Sequence, residues 1–410
     1  MHASRGKGFL VCGGDGVGCC SGIREKMAES KRYDVAVIGA GVFGAWIAWH
    51  LARRGKRVVL AEAYGPAHSR ASSGDESRII RMGYGADELY TRWSMRSLAQ
   101  WREFFQATGQ ALFQETGVLW LGGERDLRLR CTIETLRQCG VAFEEMNRSA
   151  LEKRYPQIGL DDVSMGILEP RSGVLIARRA VAAVVKDAVK RGAEYRVAQV
   201  NAPQGTGFPK SLKTSAGEEI VAERFVFACG AWLGKLFPPI LGARIFPSRQ
   251  EVFYIGVPAG DSRFASPALP TFLFQEDESY GMPDLESRGL KIALDRHGER
   301  VDPDTQSRLV SPQSAEEIRR YVARRFPVLR DAPIVETRVC QYENTSSGDF
   351  LIDRHPEMEN VWFAGGGSGH GFKHGPVVGE YLTGQLLDAA KPEPRFSLAT
   401  KETTQARAVY

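Results

Sequence analysis

The chain lacks any apolar run approaching the ~18 residues that a membrane-spanning helix needs, so no bilayer-spanning segment is expected. It also lacks a basic block. Its 54 lysines and arginines against 49 aspartates and glutamates leave a net charge of +5 spread along the whole length, which speaks against a nucleic-acid partner. The seven cysteines, Cys12, Cys19, Cys20, Cys131, Cys139, Cys229 and Cys340, are odd in number and scattered. None has metal-ligand spacing, so neither a metal site nor a disulfide framework is expected, and a reducing, cytoplasmic setting suits them. No internal repeat or low-complexity linker interrupts the chain, which excludes solenoids and loosely tethered modules.

What is present is globular. Hydrophobic residues make up 43% and charged residues 25% of 410 residues, more chain than one ordinary core accommodates, so two closely associated domains are expected. Residues 1–32 hold Gly and Cys without periodicity, and their apolar stretch is too short and interrupted for a secretory signal. They read as a disordered extension, with Met27 as an internal start. Beyond them, patterning predicts helices over 86–106, 127–138 and 177–191 and strands over 117–121, 194–200 and 224–228. Residues 165–176 read as two short strands about a turn, and 212–220 as a hairpin. Strands over 245–256, 271–274 and 289–295 follow without long helices between them, the mark of an antiparallel sheet.

Two stretches at opposite ends of the chain complement one another. Near the start, an apolar strand over 33–38 leads into Gly39, Gly41 and Gly44, spaced G-x-G-x-x-G, and then into a helical pattern. Gly39 permits the tight turn, Gly41 lets backbone approach a pyrophosphate, and Gly44 lets helix and strand pack closely. The pyrophosphate would rest on unpaired N–H groups at the helix start. A second strand ends at Glu62, eighteen positions past the last glycine, where a carboxylate can accept hydrogen bonds from ribose hydroxyls and disfavours a 2′-phosphate. A glycine-rich loop in some other α/β unit is the alternative, and strand, helix, second strand and terminal acid in sequence argue against it. Near the finish, residues 361–380 carry a glycine run opening a helix over 377–387, with Gly375 and Pro376 suited to its N-cap and first position. A nicotinamide enzyme needs only the first stretch. Both together point to a flavin dinucleotide held along its full length.

The segments SSGDESRIIR (72–81), GLKIALDRHGERVDPDT (289–305), VCQYENTSSGDFLID (339–353) and GSGHGFKHGPVVGE (367–380) occur in that order. With the fingerprint they resemble the monomeric sarcosine oxidase and N-methyltryptophan oxidase family of the D-amino-acid-oxidase superfamily, over nearly the whole chain from residue 33 to about 388. The resemblance implies a fold of α/β plus α+β type: a discontinuous, Rossmann-like FAD-binding domain (33–116, 173–244 and 336–395) interleaved with an antiparallel-sheet substrate domain (117–172 and 245–335), then a C-terminal tail (396–410). It implies FAD as cofactor, a small-molecule amine and oxygen as partners, and a monomer or weak oligomer.

Site residues follow from the same likeness. Cys340, by itself a buried small hydrophobe, falls where the family attaches its flavin covalently; that attachment needs a thiolate in an accessible, electropositive setting. Ser73, Gly367, Gly369 and Gly371 join the cofactor set. Arg78 and Arg81 read either as a surface pair or, with Ile79 and Ile80 between them, as a segment heading inward; by resemblance Arg78 lies against the flavin and Arg81 joins Lys373 in clamping a substrate carboxylate, for which an arginine fork is apt. For Lys373 a solvated loop lysine is the lesser alternative. His370 lies in the same loop beside the flavin, and Lys291 aligns with the lysine that assists oxygen. One position departs from the family. Four residues after Lys291, where sarcosine oxidases carry a histidine, stands Asp295, followed by Arg296 and His297. In an extended segment 291, 293 and 295 share a face, so Asp295 points toward the site; pairing with Arg296 or another cation is the alternative. The function expected is oxidation of the C–N bond of a secondary or cyclic amine, giving an imine and hydrogen peroxide. A same-fold dehydrogenase serving an electron carrier and a non-catalytic flavin-bearing assembly subunit are the alternatives.

Overall fold

The computed structural model describes residues 31–296 and 298–405, so the expectations for the N-terminal extension, Met27, Cys12, Cys19, Cys20 and His297 lie outside the described residues. The architecture is mixed α/β. Strands Arg32–Ile38 (β1) and Val58–Glu62 (β2) sit at the heart of a seven-stranded sheet that runs Leu351–His355, Met358–Gly365, Glu219–Phe227, β1, β2, Glu194–Val197. The pairings on both sides of β1 are parallel. Parallel strands covered on both faces need apolar side chains on both, and β2 is buried at every position. The short strand Ser211–Lys213 adds as a hairpin to Glu219–Phe227.

Helix Val42–Arg53 (α1) crosses from β1 toward β2 with ten of its residues buried. Its apolar character extends all round because it packs against the sheet, against Ala177–Lys190 and against the closing helix Gly375–Asp388. Gly379 makes the last contact possible: a methyl there would sit 2.7 Å from the Trp46 carbonyl. The closing helix starts at Gly375, two residues before the expected 377, with His374 in place of Gly375 as N-cap and Pro376 in the second position.

An eight-stranded sheet forms the second layer, with Ile334–Asn344, Phe246–Ile255, Leu290–Leu294, Ser279–Met282, Thr271–Phe274, Val118–Gly122, Met165–Glu169 and Glu144–Asn147 in that order. It is antiparallel except where Thr271–Phe274 runs parallel to Val118–Gly122. Strand Ile334–Asn344 pairs along its length with Phe246–Ile255, so residue 336 falls inside a strand of this sheet. Residues 165–176 are not a hairpin. Met165–Glu169 pairs within the large sheet, whereas Gly173–Leu175 pairs with Arg78–Ile80 (β3) and Phe113–Gln114 in a separate three-stranded sheet, so the turn between them switches sheets. Helix Pro312–Arg325, unforeseen from the sequence, buries Ile318, Tyr321 and Val322 beneath the large sheet. The described part of the expected tail is packed, with Phe396 fully buried.

Candidate active site

A long cleft runs between the layers. Glu62, Tyr64 and Val200 line one end; Gly39, Gly41, Gly230, Glu343 and Gly367 the middle; Arg78, Tyr342 and Phe372 the other end. The glycines have the geometry a dinucleotide requires. Gly39 has φ +101° and a methyl on it would lie 2.4 Å from the Ala228 carbonyl, while one on Gly44 would lie 1.8 Å from the Gly39 carbonyl. A methyl at Gly41 would meet only Ser73 Oγ, at 3.5 Å, so that position opens on the cleft. Gly41 caps α1 without a side-chain hydrogen bond, leaving the helix start to an anion. Ser73 is buried and its Oγ accepts from Val42 N at 3.1 Å. Glu62 accepts from Ala40 N at 2.7 Å and Tyr64 N at 3.2 Å; burial raises its pKa while these N–H groups oppose the rise. On the facing loop, Gly369 has φ +80° and a methyl on it would strike the Tyr342 ring, while one at Gly371 would strike Gly367 and Phe43. The donor set, the glycine cradle and the anchored acid fit FAD.

At the far end, one carboxylate organises two cations. Asp75, 5% exposed, bonds Lys291 Nζ at 2.6 Å and the Arg78 guanidinium. Burial alone would raise the Asp75 carboxyl, but Lys291 and Arg78 override it and hold it well below the usual range. Burial likewise opposes charge on Arg78, yet Asp75 raises its pKa, whereas burial, reinforced by Arg78, lowers that of Lys291. Lys291 also donates to Ser77 O at 2.9 Å. Cys340 is buried with Sγ 3.4 Å from Arg78 Nη2, and its neighbours Gln341 and Tyr342 line the cleft.

A second cluster centres on Tyr84. Arg81 is buried with its guanidinium 4.6 Å from both the Tyr84 and Trp120 ring centroids and bonded to the Gly83 carbonyl. Lys373 donates to Tyr84 Oη at 2.7 Å and His370 O at 3.0 Å. Burial lowers Arg81, and burial together with Arg81 lowers Lys373 much further. His370 meets Tyr84 Oη through Nδ1 at 3.2 Å and Gly348 O through Nε2 at 3.0 Å; His374 Nε2 reaches the same hydroxyl at 2.8 Å. Glu169 fixes the turn carrying Arg81 by accepting from Met82 N, Gly83 N and Trp120 Nε1 at 2.7, 3.0 and 2.8 Å. Asp295 follows strand Leu290–Leu294; its Oδ1 accepts from Tyr342 Oη at 2.7 Å, and its charge acts on both Arg81 and Lys373. Arg296 is bonded to Glu317 instead.

The structure thus gathers Lys291 and Cys340 about Arg78 and Asp75 at one end of the cleft, with Arg81, Lys373 and His370 around Tyr84 and Asp295 on Tyr342. Sequence reasoning missed Asp75, Tyr84, Glu169, Tyr342, Glu343 and His374. Asp75 had a usable signal, since two inward-facing cations in SRIIR and GLKIA demand a counter-ion.

The model of the FAD dependent oxidoreductase family matches residues 34–385. Monomeric sarcosine oxidase from Bacillus sp. (strain B-0618) is 30% identical over 390 residues, covering 92% of this chain and 99% of that protein. Peroxisomal sarcosine oxidase from Homo sapiens is 31% identical, covering 87% and 92%. Among solved structures, L-proline dehydrogenase from P. horikoshii superposes with a TM-score of 0.78 at 21% identity, covering 90% of this chain and 97% of that one.

Proposed function

The chain belongs to the FAD dependent oxidoreductase family, and from that premise we propose how its residues divide the work. It is an FAD-dependent amine oxidase acting on the C–N bond of a secondary amine. The observation that carries the assignment of roles is the arrangement of four cations: Arg78 lines the flavin end of the glycine-built cleft, buried Lys291 shares Asp75 with it, and buried Arg81 and Lys373 meet at Tyr84. FAD, when bound, supplies the two-electron acceptor. Arg81 and Lys373 bind the substrate carboxylate, and Tyr84 orients Lys373. The net positive field lowers the pKa of a bound amine and so favours the unprotonated form that reacts. The imine product then hydrolyses in water. Lys291 stabilises negative charge developing on oxygen, so the electrons leave as hydrogen peroxide. Cys340 holds the flavin through a thioether, its Sγ accepting from Arg78 Nη2. We place the FAD-binding segments at 33–116, 173–244 and 336–395 and the substrate segments at 117–172 and 245–335, in a cytoplasmic protein that is a monomer or weak oligomer. Among the described residues no helix is long and apolar enough to cross a membrane.

Two expectations test this division. Arg81→Ala or Lys373→Ala should weaken binding of carboxylate inhibitors by roughly 1.5–3 kcal/mol each, with flavin content preserved, as read from perturbation of the flavin spectrum. In the wild type the same affinity should fall as pH rises, because Lys373, its pKa lowered by burial and by Arg81, loses its proton below the ordinary lysine range. Simple carboxylates that neither compete nor perturb the spectrum would remove the clamp from the account.

The oxidase assignment rests on Lys291. Lys291→Met should slow reoxidation of the reduced enzyme by oxygen on the order of 10²-fold, with amine-dependent reduction much less affected, in stopped-flow measurements of the two half-reactions. Unchanged reoxidation, with faster turnover on an artificial carrier than on oxygen, would favour the dehydrogenase.

A further inference from the structure

The carboxyl of Glu343 lines the cleft and belongs to neither cation cluster. Glu343 is the penultimate residue of strand Ile334–Asn344 and is 8% exposed. Its Oε1 accepts from Gly367 N at 3.1 Å, and its backbone oxygen accepts from Ser368 N at 3.1 Å, which ties it to the glycine loop. Its Oε2 is buried without a hydrogen-bond partner. A methyl on Gly230 would lie 3.6 Å from that oxygen and one on Gly365 3.4 Å from it, so glycines on both sides leave room for the carboxyl at the middle of the cleft.

We propose that Glu343 is a ligand of FAD in its neutral acid form, its carboxyl donating a hydrogen bond to an oxygen of the ribityl–pyrophosphate stretch, so that flavin capture takes up a proton. The inference rests on the FAD assignment and adds to it a proton-linked contact. An ionised carboxylate there would leave a buried acceptor unsatisfied and would repel an anionic pyrophosphate. Protonation removes both costs and supplies a donor. Burial pushes Glu343 up to about 7, against the pull of the Gly367 and Gly366 N–H groups.

The groups facing it do not compete in the same range. Cys229, at the end of strand Glu219–Phe227, is raised far above neutrality by burial. His68 is pushed down to about 4 by burial, with Arg70 and Arg308 adding to the fall. The α1 terminus and the glycine loop offer backbone only, while Tyr342 on its own strand bonds Asp295. Farther along the cleft, Arg78 is paired with Asp75 and Lys235 with Asp304. Glu62, a second buried carboxyl of the cleft, faces Cys229 as well and serves as the control.

The sign of the linkage is fixed. A bound anion raises the carboxyl pKa above its flavin-free value of about 7, so affinity is flat below that pH and falls as pH rises toward the bound-state value. The experiment uses the full chain carrying Cys340→Ala, in which FAD dissociates by dilution however the wild type holds it. Between about pH 6.5 and about pH 8.5 its Kd should rise roughly 5- to 20-fold. Added Glu343→Gln should flatten that slope and Glu62→Gln should leave it. A slope that survives Glu343→Gln, or vanishes with Glu62→Gln alone, overturns the proposal. Should Glu343→Gln fail to fold, indicator-dye measurement of proton uptake on adding FAD to the flavin-free Cys340→Ala protein near pH 8 decides: close to one proton per flavin supports the proposal, and none refutes it. Failure to bind FAD at any pH would instead sink the cofactor assignment, whereas tight, pH-independent binding sinks only this inference.

Discussion

Acid precipitation of the wild-type protein should bring the flavin down with the polypeptide, and the same treatment of Cys340→Ala should release essentially all of it into the supernatant. The expectation follows from the setting of the thiol. Cys340 is held in register by strand pairing opposite Gln250, with its Sγ 3.4 Å from a guanidinium whose charge is secured by Asp75. The guanidinium donates to the sulfur that must attack the flavin and so holds it in position for attachment. Thioether formation at the flavin methyl group removes the thiol proton and one methyl hydrogen and leaves two electrons with the flavin, which oxygen then removes. Arg78→Ala should therefore slow attachment while leaving Cys340 in place. Fluorescence of the denatured band on a gel reads both variants. Free flavin recovered from fully assembled wild-type protein would show that Cys340 is only a buried neighbour of the site.

The second large effect concerns Asp295. Amine oxidation requires the unprotonated nitrogen, yet an alkylammonium has a pKa of about 10.4 in water, and a carboxylate near the bound amine raises it further. Asp295 is tolerable because it accepts from Tyr342 Oη and lies in the field of Arg81 and Lys373, so part of its charge is already engaged. It remains a poor neighbour for bare N-methylglycine and a good one for a larger amine whose hydroxyl or ring N–H can reach it. The wild type should accordingly turn over bulkier secondary or polyhydroxylated amines faster than sarcosine. Asp295→His should raise kcat/KM for sarcosine by about tenfold, the equivalent of one unit in amine pKa. If the wild type handles sarcosine at least as well as every bulkier amine, and Asp295→His changes nothing, Asp295 is structural.

The cofactor half of the site was legible because its chemistry is written in backbone. Gly39, Gly41 and Gly44 are required by close approaches that leave no room for a methyl, or by a face that must stay open, and such requirements leave a local sequence mark. The likeness of SSGDESRIIR and GSGHGFKHGPVVGE to a family supplied the cations, but not their counter-ions. Glu169 acts through partners up to 87 positions away, and Asp75, though three residues from Arg78, meets Lys291 across 216 positions, a separation no local pattern carries. Glu343 was unread for a different reason: its importance lies in an oxygen that bonds nothing, which only the folded cleft displays. In the fold, parallel strands and long helices were visible from apolar runs and 3.6-residue periodicity. The sheet switch at 170–172 was not, because two short strands flanking a turn look alike whether or not they pair with each other. Helix Pro312–Arg325 was passed over because its charged face dominates its composition, although Ser311 and Pro312 mark its start.

The central claim is C–N oxidation of a carboxylate-bearing secondary amine by a protein-held flavin. It is tested most directly by mixing the holoenzyme, without oxygen, with a panel of N-methyl and cyclic amino acids, primary amino acids and hydroxy acids, following the absorbance of oxidised flavin, then admitting air. The account predicts bleaching by at least one secondary amine and stoichiometric hydrogen peroxide on reoxidation. Bleaching confined to primary amines or hydroxy acids, or a flavin that no amine reduces, would contradict it.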